Sequence, residues 1–165
     1  MRDKFLEKRN WWNYIHHDLR ELLRESYLLL TNVGGWDEKF HDYSFVVFPA
    51  AKAYEGFLKT LFHDLGFITD KDFFGKRFRI GKALNPALES HFRQEESVYD
   101  KLVDFSKGQT LPDTLWDTWK ISRNLLFHWF PDEKNTISFE EAEVRMGKIL
   151  DAMDLAYKEC KTPHQ

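Results

Sequence analysis

The sequence has one cysteine, Cys160, among its 165 residues, so it cannot form an internal disulfide. No second cysteine and no His-x-x-x-His spacing is present to provide the usual ligands of a structural zinc site. We therefore expect neither a metal nor another cofactor. A single thiol without a disulfide framework fits a reducing compartment, which leads us to expect a cytoplasmic protein.

Long apolar runs are also missing. The first ten residues, MRDKFLEKRN, are too rich in charge for a secretory signal peptide. No apolar run approaches the roughly 20 residues that a membrane-spanning helix needs, so we expect no membrane association. Repeats, low-complexity tracts and the alternating pattern of strands are missing as well, and the length is that of one domain covering residues 1–165.

Positive charge is not in excess, because 24 Lys and Arg residues against 27 Asp and Glu residues give a formal net charge of −3. Proteins that bind DNA without sequence preference are usually clearly basic, so any nucleic-acid contact of this chain must be local. Aromatic residues are abundant at 16%, within a hydrophobic fraction of 42%. That much apolar surface excludes a disordered chain and predicts a folded domain with a continuous core.

Apolar residues recur at helical spacing and predict an all-α bundle of four to five main helices. Gly66 and Pro131 lie where helices are expected to end. Ser138 begins a capping-box pattern with Glu141 and is expected to open the last helix. The basic, glycine-punctuated segment FFGKRFRIGKALNP is predicted to be a loop after the second helix, leading into a short helix. The predicted main helices cover about Asp3–Leu30, Tyr43–Leu65, Pro86–Phe105, Thr114–Phe127 and Ser138–Cys160.

A polar cluster lies near the end of the fourth predicted helix, in the segment ISRNLLFHWFP. Asn124 and His128 are four residues apart, so on a helix they would be neighbours and the Asn side chain could orient the imidazole. Arg123 and His128 are about 140° apart on an ideal helix, so they converge only if the helix ends there or the long Arg side chain reaches round it. Arginine can hold a phosphoryl oxygen and histidine can transfer a proton near neutral pH, which suits phosphodiester chemistry.

An acidic residue lies on the flank of the apolar face of the second predicted helix. On a helical wheel Glu55 falls between two phenylalanines, and carboxylates at such positions are rarely unpaired. We therefore predict that Glu55 lies within ion-pair distance of Arg123 or His128. Lys52 and Lys59 fall further round the same helix, and both are expected to edge the same cleft.

Each of these features also has a purely structural interpretation. Cationic side chains near a helix C-terminus interact favourably with the helix dipole. Glu55 could pair with Lys59 one turn along the helix. On this interpretation the chain is a structural helical bundle in which Arg123 and His128 only cap a helix.

The combination of residues resembles the HEPN superfamily of ribonucleases. In that family an arginine is followed by a polar residue and then, four residues further on, by a histidine near the end of a late helix. The segments AAKAYEGFLKTLFHDLG and FFGKRFRIGKALNPAL are most similar to the HEPN domain of RNase LS-type toxins, and the resemblance covers roughly Tyr43–Phe130. It implies that Arg123 and His128 are the motif pair, that Asn124 is the polar residue, and that Glu55 is the acid these toxins add.

The resemblance implies a metal-independent endoribonuclease of a toxin–antitoxin or phage-defence system, in which the ribose 2′-OH attacks the phosphate. HEPN proteins generally dimerise with their motifs facing across a two-fold axis, so a homodimer is expected, and an antitoxin protein would be a further partner. The alternative is a non-catalytic HEPN module that binds a nucleotide, an RNA or a partner protein. The candidates for RNA contact are the basic residues Lys52, Lys59, Lys76, Arg77 and Arg79.

Overall fold

The chain folds into helices connected by loops and turns. The computed structural model describes residues 4–132 and 134–161, and no strand occurs within them. The all-α architecture predicted from the sequence is therefore confirmed. The helices of the described chain are α1 (Lys4–Glu7), α2 (His17–Val33), α3 (Ser44–Asp64), α4 (Asp70–Phe74), α5 (Ile80–Ala83), α6 (Ser90–Glu96), α7 (Val98–Ser106), α8 (Thr110–Trp119), a π-helical turn (Lys120–Asn124) and α9 (Phe139–Lys161).

The first predicted helix, Asp3–Leu30, is in fact α1 and α2 separated by a series of turns, and Asp3 itself lies outside the described residues. Trp11 and Trp12 lie in these turns and are both buried. Adjacent residues of an α-helix point about 100° apart, so a continuous helix would direct one of the two indoles away from the core. The turns bury both, and the Trp11 Nε1–H donates to the Asp154 carboxylate of α9 at 2.7 Å.

The central helix of the fold is α3, which packs against α2 and α9. Buried apolar side chains along its length form the middle of the core. The predicted bounds, Tyr43–Leu65, agree with Ser44–Asp64 to within one residue at each end. Gly66 follows with a φ of +71°, a left-handed conformation in which glycine ends a helix without a steric penalty.

Pro49 lies inside α3, where a proline removes one backbone hydrogen bond and disturbs the preceding turn. A hydroxyl from α2 compensates, because the buried Ser26 Oγ donates to the Val46 carbonyl at 2.5 Å and accepts from the Ala50 N–H at 3.0 Å. In a regular helix these two backbone groups, four residues apart, would bond to each other. Ser26 therefore bonds both backbone groups beside Pro49 and ties α2 to α3.

The third predicted helix, Pro86–Phe105, is instead α6 and α7, which meet at Ser97. The Ser97 hydroxyl accepts from the Asp100 N–H at 3.0 Å and caps α7. A serine that bonds the backbone in this way favours a new helix start over continuation of the preceding helix. The basic loop expected after the second main helix is present at residues 75–79 and leads into the short helix α5, as predicted.

The fourth predicted helix, Thr114–Phe127, begins earlier, at Thr110, and ends earlier, at Asn124. The last helix begins as predicted, because the Ser138 N–H donates to the Glu141 carboxylate at 2.7 Å and the Glu141 N–H donates to the Ser138 hydroxyl at 3.2 Å. This helix, α9, packs against α3 and α8. In the part of the chain that the structure describes, no helix has both the length and the apolar character needed to cross a membrane.

Candidate functional site

Glu55 lies in the middle of α3, which packs against the π turn that carries Arg123. The preceding residue, Tyr54, is fully buried, and its hydroxyl donates to the Leu115 carbonyl of α8 at 3.1 Å. Burial raises the pKa of Tyr54, so this hydroxyl stays protonated and able to donate. The hydrogen bond fixes α8, and with it the start of the π turn, against the segment of α3 that carries Glu55.

Arg123 lies in the π turn, where the helix widens. The Leu125 N–H donates to the Lys120 carbonyl at 2.9 Å, five residues back, and not to the Ile121 carbonyl that an α-helix would use. The Arg145 guanidinium of α9 donates to the Ile121 carbonyl instead. Burial lowers the pKa of Arg145. The π turn is thus stabilised from α9 at the carbonyl that its geometry leaves free.

The guanidinium of Arg123 also lies near an indole. Its Cζ is 5.5 Å from the ring centroid of Trp119, within the range of a cation–π contact. The indole is in turn close to Gly81 of α5, where an added Cβ would lie 2.7 Å from the Trp119 Nε1. Glycine is therefore required for this approach of α5 to Trp119.

The Arg123 Nε lies 3.6 Å from the Glu55 Oε2, which confirms the predicted ion pair. The Arg123 and Glu55 side chains are 38% and 39% exposed, so the pair is open to solvent. Glu55 thus pairs with Arg123, and not with Lys59 as in the structural interpretation. The pair lines a cavity of about 310 Å³, here called the ion-pair cavity, whose other lining residues are Phe48, Ala51, Lys52 and Phe127.

His128 lies in the loop after the π turn, and its side chain is exposed. It lines a larger cavity of about 630 Å³, here called the histidine cavity. Phe127 lines both cavities, whereas Arg123 lines only the ion-pair cavity and His128 lines only the histidine cavity. The side-chain amide of Asn135 donates to the His128 carbonyl at 2.7 Å and fixes the backbone at this point.

The expectation that Asn124 orients the His128 imidazole as a helical neighbour is wrong. The helix ends at Asn124, so His128 does not lie one turn further along the same face. Among the described residues the Asn124 side chain has no hydrogen-bond partner, and it is exposed. Its assignment to catalysis stays a prediction.

The two lysines of α3 that were expected to edge one cleft lie in different surroundings. Lys52 lines the ion-pair cavity, as predicted. Lys59 does not, because its Nζ lies 3.5 Å from the Gly75 carbonyl oxygen and 5.8 Å from the ring centroid of Phe73. The α4–α5 loop therefore binds the second lysine.

The remaining candidates for RNA contact, Lys76, Arg77 and Arg79, lie in the exposed loop between α4 and α5. Arg77 and Arg79 line a third cavity, of about 390 Å³, which also has acidic residues in its walls. The Arg79 Nη1 donates to the Lys76 carbonyl at 2.5 Å and to the Phe78 carbonyl at 3.1 Å. The guanidinium of Arg79 thus binds the backbone of its own loop. None of the three residues lines the ion-pair cavity.

One histidine at the site was missed in the sequence. His41 lines the histidine cavity together with His128, although the two are far apart along the chain. His41 lies in the loop before α3, where neither periodicity nor a motif indicates a function, and only the fold brings it to this cavity. The one feature of the sequence that could have indicated it is its place two residues before the predicted start of the second helix at Tyr43.

Comparisons of the chain with protein-family models, with curated proteins and with solved structures give no match. Within residues 4–132 and 134–161, no group of three or more His, Cys, Asp or Glu side chains is placed to hold a metal ion. The functional interpretation therefore depends on Glu55, Arg123 and His128 and on the two cavities that they line.

Proposed function

We propose that the protein is a metal-independent endoribonuclease of the HEPN type. The observation that carries the proposal is the Glu55–Arg123 ion pair, in which a solvent-accessible guanidinium is held by a carboxylate and an indole. The ion-pair cavity shares Phe127 with the cavity that His128 lines. A guanidinium that is already held in place suits an anionic group, and a phosphodiester is an anion on which an arginine and a histidine can act together.

In the proposed reaction the ribose 2′-oxygen attacks the adjacent phosphorus, and the bond from phosphorus to the 5′-oxygen breaks. His128 transfers a proton at the 2′-oxygen or at the 5′-oxygen. Arg123 stabilises the negative charge that grows on the non-bridging phosphoryl oxygens, while Glu55 keeps the guanidinium in place. Because DNA has no 2′-OH, only RNA can react in this way.

The proposed substrate contact is local, since the formal net charge of the chain is −3. Lys52, which lines the ion-pair cavity, supplies the nearest additional positive charge. A two-fold homodimer with facing motifs, an antitoxin partner, and a place in a toxin–antitoxin or phage-defence system complete the proposal. All three are implied by the HEPN resemblance, and exposed apolar side chains near the site also favour the homodimer.

The alternative is a non-catalytic HEPN module that binds a nucleotide, an RNA or a partner protein. One observation favours it: in the described part of the chain no side chain forms a hydrogen bond with the His128 imidazole to set its orientation. A histidine that acts in catalysis is commonly oriented by such a partner. A binding module would retain RNA in a filter-binding assay and leave it intact.

The direct test is incubation of the purified protein with total RNA in the presence of EDTA. We expect cleavage that leaves 2′,3′-cyclic phosphate or 3′-phosphate ends. Arg123→Ala and His128→Ala should each lower the rate by about 10²-fold or more, because each removes one contact to the transition state. Cleavage should be unaffected in the matched control His17→Ala, which removes an exposed histidine at the start of α2.

Two results would overturn the proposal. Cleavage that requires added magnesium would exclude the metal-independent mechanism. Cleavage that survives both Arg123→Ala and His128→Ala would exclude the assigned residues.

A further inference from the structure

Two histidines from distant parts of the chain share the histidine cavity. His41 comes from the loop before α3, and His128 comes from the loop after the π turn. Polar side chains of Ser44, Lys134 and Asn135 line the same cavity. Its volume of about 630 Å³ lies within the range of pockets that bind small ligands, so part of an RNA chain can enter it.

Hydrogen bonds tie the segment that carries His41 to the segment that follows His128. The Asp42 Oδ1 accepts from the Ile137 N–H at 3.2 Å, and the backbone N–H that follows Asp42 donates to the Ile137 carbonyl at 3.0 Å. Two residues earlier, Asn135 donates to the backbone carbonyl of His128. The residues next to His41 are therefore connected, through residues 135–137, to the backbone of His128.

Cleavage of RNA by its own 2′-OH needs two proton transfers at different oxygens. A base takes the proton from the 2′-oxygen as the new bond to phosphorus forms, and an acid gives a proton to the 5′-oxygen as its bond to phosphorus breaks. The products are a 2′,3′-cyclic phosphate and a 5′-hydroxyl, and no proton is gained or lost overall. Within one chain, His128 assigned to one transfer leaves the other transfer without a group.

We infer that His41 is the second proton-transfer residue of the proposed ribonuclease, so that His41 and His128 of one chain divide the two transfers. The inference depends on the proposed function, because it assigns a role within that reaction. It adds a residue that lies outside the Arg123–His128 motif and that only the fold places at the site.

The test compares two RNA oligonucleotides that contain the linkage cut by the wild-type protein. In one of them sulfur replaces the bridging 5′-oxygen at that linkage, so the leaving group departs without a proton. On ordinary RNA we expect His41→Gln and His128→Gln each to lower kcat by about 10²- to 10⁴-fold. On the sulfur-containing RNA one of the two variants, and not the other, should return to within about tenfold of wild type, which identifies the acid.

Other outcomes separate this inference from the proposed function. If the wild-type protein cleaves RNA and His128→Gln does not, but His41→Gln behaves like wild type, the ribonuclease proposal stands and the role of His41 is wrong. The role is also wrong if neither variant recovers on the sulfur-containing RNA, or if both do. In either case the two residues do not act as one acid and one base. His17→Gln is the control and should match wild type on both substrates. A wild-type protein that cleaves neither RNA overturns both proposals.

Discussion

At the scale of single residues, the Glu55–Arg123 pair contributes little to the stability of the fold. Ion pairs between partly exposed side chains are worth roughly 0 to 1 kcal/mol, because water screens the attraction. Both side chains here are partly exposed. The significance of the pair therefore lies in where it holds the guanidinium, at a cavity that shares Phe127 with the cavity lined by His128.

The variant Glu55→Gln separates the effect of the pair on stability from its effect on the position of the guanidinium, because it keeps the size of the side chain and removes its charge. We expect the free energy of unfolding, measured by urea denaturation, to change by less than about 1 kcal/mol. RNA cleavage should fall roughly 10- to 100-fold, since the guanidinium is no longer held in one place. Glu143→Gln, at an exposed glutamate of α9, is the matched control for both measurements. A loss of stability above about 2 kcal/mol would show instead that Glu55 is a structural residue.

Some residues of the site could be predicted from the sequence and others could not. Glu55 could, because it lies on a long periodic helix and a carboxylate beside an apolar face needs a cation, here Arg123. Asn124 was misplaced because the helix ends there, after a π turn. Lys59 was misplaced because its flexible side chain reaches a carbonyl of the α4–α5 loop. A helical wheel of α3 includes no residue of that loop. His41 was missed because loops have no periodicity to interpret.

At the scale of helices, the ends that depend on local signals could be predicted, whereas the breaks imposed by tertiary contacts could not. α3 and α9 have such signals in Gly66 and in the capping box at Ser138. The break between α1 and α2 depends on burial of two indoles, one of which bonds to the distant Asp154. The π turn is stabilised by Arg145, from a helix that follows it in the sequence. A helix prediction from a short stretch of sequence cannot include Asp154 or Arg145, because both are distant along the chain from the segments they stabilise.

The contact of Ser26 with the turn of α3 at Pro49 gives a prediction at this scale. Ser26→Ala removes the hydroxyl that bonds both the Val46 carbonyl and the Ala50 N–H, and leaves two buried backbone groups without a side-chain partner. We expect the free energy of unfolding to fall by about 1 to 3 kcal/mol, measured by urea denaturation. The slope of the denaturation curve should not change, because the extent of the core is the same.

The control for this variant is Thr31→Ala, on the same helix. The Thr31 hydroxyl also bonds a backbone carbonyl, that of Leu28, but it is exposed and water can replace the contact. Its removal should change stability by less than about 0.5 kcal/mol. Equal stabilities of the two variants would contradict the bridging role of Ser26.

At the scale of the whole molecule, large apolar side chains are exposed around the candidate site. Phe48, on α3, packs against Phe127 with ring centroids 5.1 Å apart, yet remains exposed. Leu125, Trp129 and Phe130, which follow the π turn, are exposed as well. Phe48 lines the ion-pair cavity and Trp129 lines the histidine cavity. Exposed apolar side chains beside a site suit the binding of another protein, and a second copy of the chain bound here would cover both cavities.

We therefore expect a homodimer at micromolar concentration by light scattering. Trp129→Glu should shift it to a folded monomer, because Trp129 is 81% exposed in the single chain and a carboxylate is unfavourable in an apolar interface. Phe74→Glu is the matched control: Phe74 is 78% exposed, lies on α4 and lines neither cavity, so this variant should stay dimeric and active. A monomeric wild type, or a Trp129→Glu variant that stays dimeric, would exclude this surface as the interface. A Trp129→Glu variant that is monomeric with an unchanged circular dichroism spectrum would show that the exposed face around Trp129 joins the two chains, because the fold is then intact and only the apolar contact is lost.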